Sequence, residues 1–190
     1  MLILASNSPR RRELLKNAGY KFKVIPAENE EIVPKLKPSA AAVLTAKTKA
    51  LEVAEKYPND VILAADTIVV LNDEIMNKPV DEKDAFRMLS ALSGARHTVI
   101  TGVVVIKNGV VKSFYQRTTV EFYKLSEDEI NKYIKTREPF DKAGAYGIQE
   151  KGALLVKGVR GDYFNVMGLP IAKTSRMLEK FGIKTVDNKY

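Results

Sequence analysis

Apolar and polar positions along this chain switch repeatedly between the period of a strand and the period of a helix. Leu2-Ile3-Leu4-Ala5 is a short apolar run that ends in the hydroxyl-rich turn Ser6-Asn7-Ser8. Pro9 suits the first position of a helix, where its missing N–H leaves nothing unpaired, and Ser8 suits the cap before it. Gly19 supplies a stop, so a helix is expected over residues 9–18. Residues 20–26 read as a strand with Phe22 and Val24 on one face. The acidic stretch Glu28-Asn29-Glu30-Glu31 follows as a loop closed by Pro34 and Pro38. Ser39 reads as the cap of a helix over residues 40–56, rich in alanine, leucine and lysine.

Residues 61–71 form a long aliphatic and β-branched run, a strand that ends at the turn Asn72-Asp73. Asp81 reads as the cap of a further helix and Gly94 as its stop. Residues 99–107 and 110–124 are two long strands joined by Asn108-Gly109, a strong hairpin signal. Ser126-Glu127-Asp128-Glu129 has the spacing of a capping box for a helix to about residue 136. The glycine-rich passage 144–161 carries a strand over 153–159, and Pro170 opens a last helix that Gly182 ends. Helices alternate with strands and one long hairpin is present. The expected fold class is therefore α/β, with a mixed twisted sheet flanked by helices.

A length of 190 residues fits a single domain, with room for two lobes and a cleft between them. Hydrophobic residues make up 45% of the chain, enough for a substantial core, and no apolar stretch approaches the roughly 20 residues that span a bilayer. No signal-peptide pattern is visible at the start. Cysteine is absent, which excludes disulfides, thiolate metal sites and cysteine nucleophiles, and fits a reducing cytoplasm. The formal net charge of +8 asks for an acidic partner, either nucleic acid or a polyphosphate small molecule. No RNA- or DNA-binding signature accompanies that charge, so nucleic acid is the less favoured of the two.

Two places carry candidate chemistry. At the first, Ser6, Ser8 and Arg10-Arg11-Arg12 surround the start of a helix, where unpaired backbone amides attract anions. The same residues are equally compatible with a solvated helix face on which Arg10 pairs with Glu13. At the second, Asp66 interrupts an apolar strand. A carboxylate there needs a partner, a metal or a route to water, and it suits a general base or a ligand for a hard cation.

His97 is the only histidine. A polyhistidine metal site is thereby excluded, and His97 itself reads as a strand or surface residue. Oxygen ligands then favour Mg²⁺ or Mn²⁺ over zinc. Lys49 and Lys78 read by themselves as solvated surface charges. Arg160-Gly161-Asp162 reads as a turn, and no P-loop pattern occurs.

Several motifs in order resemble the Maf family of nucleoside triphosphate pyrophosphatases. They are Ser6-x-Ser8-Pro9-Arg10-Arg11-x-Glu13-Leu14-Leu15, Ala65-Asp66-Thr67-Ile68-Val69, Lys78-Pro79, Leu92-Ser93-Gly94-x-x-His97-x-Val99-x-Thr101, Asp141 to Gln149, and Gly161-Asp162-Tyr163-x-Asn165-Val166-x-Gly168-Leu169-Pro170. The resemblance implies an elongated fold related to inosine triphosphate pyrophosphatases. It implies a cytoplasmic, usually dimeric house-cleaning enzyme that cuts a nucleoside triphosphate to monophosphate and pyrophosphate with a divalent cation.

It further implies Asp66 as the proton acceptor, and a phosphate and metal site lined by Ser6, Arg11, Glu30, Lys49 and Lys78, with the cation near Glu30 and Asp66. Within the family, residues matching Arg10, Thr67 and Gln149 mark the branch that uses dTTP and UTP. The rival expectations are a nucleic-acid-binding or septum-associated regulator without turnover, and a phosphotransferase.

Overall fold

The computed structural model describes residues 1–28 and 36–186. Among them, seven strands form one sheet: β1 (Leu2–Leu4), β2 (Lys23–Val24), β3 (Val61–Leu71), β4 (Glu74–Met76), β5 (Arg96–Lys107), β6 (Val110–Phe122) and β7 (Val156–Arg160). The order is β2-β1-β3-β5-β6-β7, with β4 added to β3. β1 runs parallel to both β2 and β3, whereas β4 and β7 run antiparallel to β3 and β6. The sheet is therefore mixed, and the helices are α1 (Pro9–Asn17), α2 (Pro38–Lys56), α3 (Glu82–Leu92), α4 (Glu127–Ile134), α5 (Tyr163–Met167) and α6 (Ile171–Glu179).

Two compact units divide the chain. One contains Met1–Asp66, Thr101–Gln116 and Gly168–Tyr190; the other contains Thr67–Ile100 and Arg117–Met167. In the first, α2 lays Ala46, Ala50 and Val53 on a sheet face made by Ile3, Ala5, Ile62, Ala64, Val104 and Ile106. These helix residues recur at the spacing of one face, and the strand residues alternate as pleating requires.

The helix lies unusually low over the sheet. A Cβ at Gly102 of β5 would come within 2.5 Å of the Ala42 carbonyl carbon, so only glycine lets α2 sit there. In the second unit, α3 and α4 pack together, and their apolar faces join Val69, Val99, Val120 and Phe122 in a core.

Local signals explain most of the elements. The Ser8 hydroxyl accepts from the Arg11 amide at 3.5 Å, and α1 ends at an Ala18 cap before Gly19 in the left-handed region. Asp81 caps α3 through the Asp84 amide at 2.7 Å. Ser126 and Glu129 form the expected reciprocal box at α4. Asn108 and Gly109 both have positive φ, as a primed hairpin turn requires. Asn72 and Asp73 do the same and fold β4 back on β3, a hairpin arm that composition did not reveal.

Elsewhere the expectations need correction. The strand expected over 20–26 keeps only Lys23–Val24 as strand. Helix α2 starts at Pro38 with Lys37 as its cap residue, so Ser39 lies inside its first turn and caps nothing. Of the strand expected over 153–159, residues 156–159 lie in β7, whereas residues 153–155 close a 3₁₀ segment, Glu150–Leu155. Helix α5 was not expected, although Asp162 caps it by accepting from the Phe164 and Asn165 amides.

His97 is on a strand as expected, but it is buried at 2% exposure in the second unit's core. Its ring meets Phe122 and Tyr146 edge-on, and its Nε2 lies 2.7 Å from the Tyr146 hydroxyl. Burial holds its pKa down at about 4, so the folded ring stays neutral where an unfolded imidazole, near 6.5, protonates. The unfolded chain then binds the extra proton. The His97 contribution is complete above about pH 6.5 and is lost as pH falls toward 4, a difference of about 3 kcal/mol. Urea unfolding of the wild type and His97→Gln at pH 7 and pH 4 should show a smaller pH penalty in the variant by that order.

Candidate functional site

Two polar centres stand on the first unit, and adjacent parallel strands position both. β1 pairs with β3 in the register Leu4 to Leu63, and the Ala5 amide continues the ladder to the Leu63 carbonyl at 2.8 Å. The chain leaves β1 at Ser6, while β3 continues through Ala64, Ala65 and Asp66 beside it.

The first centre is the Ser6–Arg11 turn. Arg11 is buried; its Nη1 donates to the Ser6 hydroxyl at 3.0 Å and its Nε to the Gly168 carbonyl at 2.9 Å. The Ser8 amide also points to the Ser6 hydroxyl, at 3.3 Å. Arg11 thus pins the turn ahead of α1 to the chain at Gly168. Arg10, one residue earlier, is half-buried, and Arg12 is exposed with its guanidinium on the Asn7 carbonyl at 2.6 Å.

At the second centre, Asp66 extends the row Ile62–Ala64–Asp66 on the face that α2 covers. From that helix, in line with Ala42, Ala46 and Val53, Lys49 reaches down and its Nζ donates to Asp66 Oδ1 at 2.8 Å. The two side chains are 14% and 13% exposed. An ion pair this enclosed holds the carboxylate oriented, and Asp66 Oδ2 has no partner among the described residues. The demand for a partner that an aspartate in an apolar run creates is met by Lys49, which by itself read as a surface charge and which the family resemblance placed among the site residues.

The remaining expected residues belong to the second unit or lie outside the described residues. Thr67 follows Asp66 and is half-buried, Lys78 is exposed, and Gln149 is half-buried. One loop joins the segments that carry them. The Gly144 amide donates to the Asn77 carbonyl at 3.1 Å, and a Cβ on Gly144 would strike Val69 at 2.9 Å. Gly144 therefore sits against the residue before Lys78 and the residue two beyond Thr67, five positions ahead of Gln149. Glu30 lies outside the described residues.

Among the described residues, no three His, Asp or Glu side chains gather as a metal-binding group. A magnesium-type ion needs only one or two carboxylates when substrate phosphates complete its shell. Asp66, with one oxygen on Lys49 and the other open, fits that sparse requirement. Arg160-Gly161-Asp162, expected as a turn, is the end of β7 at Arg160 followed by a bend at Gly161; Asp162 Oδ1 accepts from the Phe164 and Asn165 amides at 2.8 and 3.3 Å, which commits it to the start of α5. Among the described residues, no helix is long and apolar enough to cross a membrane.

Open α/β proteins take ligands at the carboxyl ends of their strands, and in this α/β protein hydroxyls, amides and cations gather at the end of β1. The chain belongs to the Maf family, whose family description, Maf-like protein, matches residues 1–181. It is 49% identical over 183 residues to a dTTP/UTP pyrophosphatase of Bacillus pumilus, covering 96% of this chain and 97% of that one. A dTTP/UTP pyrophosphatase of Carboxydothermus hydrogenoformans is likewise 49% identical over 183 residues, covering 95% and 98%. Among solved structures, the Staphylococcus aureus Ham1 protein superposes with a TM-score of 0.39 at 14% identity, over 65% of this chain and 72% of that one.

Lys49→Met leaves a largely enclosed carboxylate without its cation and should cost about 1–3 kcal/mol in chemical denaturation. Adding Asp66→Asn should recover part of that loss, because the pair then carries no lone charge.

Proposed function

We propose that this protein hydrolyses nucleoside triphosphates, dTTP and UTP first among them, to the monophosphate and pyrophosphate. The observation that carries this reading is near-half identity, along almost the whole chain, to two proteins that bear that name. The lysine-held Asp66 on β3, beside the Ser6 turn, is in keeping with it.

In this mechanism the triphosphate is gripped by the Ser6 turn and the amides that open α1, and its charge is balanced by Arg10, Arg11, Lys49 and Lys78. Lys49 fixes one oxygen of Asp66. The other oxygen takes the proton of the water that attacks the α-phosphorus, in line with the departing pyrophosphate. Glu30 and Asp66 are the residues read as holding a Mg²⁺ or Mn²⁺ ion, which when bound would neutralise charge on the phosphate oxygens. Thr67 and the Gln149 amide face the pyrimidine edge, where a donor and an acceptor side by side reject bases that leave them unpaired. On the resemblance alone, the working form is read as a cytoplasmic homodimer.

The net charge of +8 also suits a nucleic-acid binder. Such a protein would have no use for an enclosed Lys49–Asp66 pair.

Pyrophosphate release from dTTP with Mg²⁺ should fall by about 10²–10⁴ in Asp66→Asn, with the fold intact by circular dichroism. Turnover close to that of the wild type would reject Asp66 as the base. Across a panel of triphosphates, kcat/KM for dTTP and UTP should exceed that for ATP and GTP; equal values would reject the pyrimidine preference, and a diphosphate product would reject the reaction class.

A further inference from the structure

The segment that carries Gln149 is held with unusual firmness by side chains of its own unit. Tyr146–Gln149 is bracketed by two non-glycine residues in the left-handed region, Ala145 at φ 59° and Glu150 at φ 52°. That conformation is costly for residues with a Cβ, so something else must impose it.

Two buried hydroxyls supply the constraint. The Tyr146 hydroxyl lies 2.7 Å from His97 Nε2, deep among Phe122 and the strand residues of β5. The Tyr133 hydroxyl, from α4, accepts from the Gly147 amide at 3.2 Å and donates to Glu138 Oε1 at 3.1 Å. The same Glu138 oxygen accepts from the Gly152 amide at 3.3 Å. Burial pushes the pKa of both tyrosines upward, so both keep their protons. The backbone closes on itself between them: a Cβ on Gly152 would collide with the Gly147 carbonyl, and one on Gly147 would meet Lys142 Cε at 2.7 Å.

We infer that the hydroxyls of Tyr133 and Tyr146, anchored on Glu138 and His97, are positioning groups for the Gln149 amide, and that base selectivity depends on them although neither is expected to touch the nucleotide. This rests on reading Gln149 as the group that meets the base. Removing either hydroxyl leaves its ring packing in place but frees one end of a four-residue segment. The amide then samples orientations in which its donor and acceptor no longer match the uracil edge.

UTP and CTP are the appropriate pair of probes, because they differ only at that edge. In the wild type, the ratio of their kcat/KM values measures the selectivity. Tyr133→Phe and Tyr146→Phe should each lower that ratio about tenfold, the usual worth of one buried hydrogen bond. In a Gln149→Ala background, the same changes should leave the ratio within about twofold, since the group they orient is gone. Glu138→Gln keeps an oxygen that can accept from Tyr133 and should preserve the ratio, whereas Glu138→Ala should not; this arm stands even if a tyrosine variant fails to fold.

A ratio that falls in Gln149→Ala but survives both tyrosine changes overturns the inference alone. Equal losses of UTP and CTP turnover, with the ratio unchanged, overturn it in the same way, because they report general loosening. A ratio that survives Gln149→Ala removes the reading beneath it, and the inference with it.

Discussion

The ion pair between Lys49 and Asp66 is the constraint around which the first unit is arranged. A carboxylate on the apolar row Ile62–Ala64–Asp66 is tolerable only if a cation arrives over the same face. The helix that delivers it must lie close to the sheet, and alanines at 42, 46 and 50 together with Gly102 make that approach possible. Packing and chemistry are therefore one problem here. Small residues lower the helix, and the lowered helix brings the charge.

Rigidity in the second unit has a different origin. No ion pair holds the loop from Gly144 to Gln149; hydroxyls, an imidazole and backbone contacts do so inside a hydrophobic core. Such groups are neutral at ordinary pH, and the low pKa of His97 follows from the same enclosure. Buried polar groups that share partners in this way act as a set, since losing one strands the next. Expecting His97 on a strand or surface was right about the strand and silent about this burial, since a lone histidine in an apolar run carries no sign of what surrounds it.

Legibility from sequence followed the range of the forces involved. Helix α1, helices α3 and α4, and the β5–β6 hairpin were readable because their signals are local: a cap residue, a capping box, an Asn-Gly turn. β3 was readable from its unbroken aliphatic run. The cap of α2, the three-residue arm β4, the 3₁₀ turn before β7 and helix α5 were not, the last two elements being too short to show a period. At the site, Ser6, Arg11 and Asp66 stood out by residue type and place. That Lys49 closes on Asp66 was not visible, since 17 residues and a helix-to-sheet distance lie between them. Tyr133 and Glu138 were not singled out, and Tyr146 entered only as one member of the Asp141 to Gln149 motif.

Gly102 has a hereditary consequence. It bears no side chain and no charge, yet nothing thicker than a hydrogen atom separates it from the backbone of α2. Any coding change there wedges the helix upward and carries the ammonium group away from its counter-ion. Natural variation at this position should therefore be purged as severely as variation at Asp66 itself, and a survey of damaging alleles would find it among residues that bear no functional group.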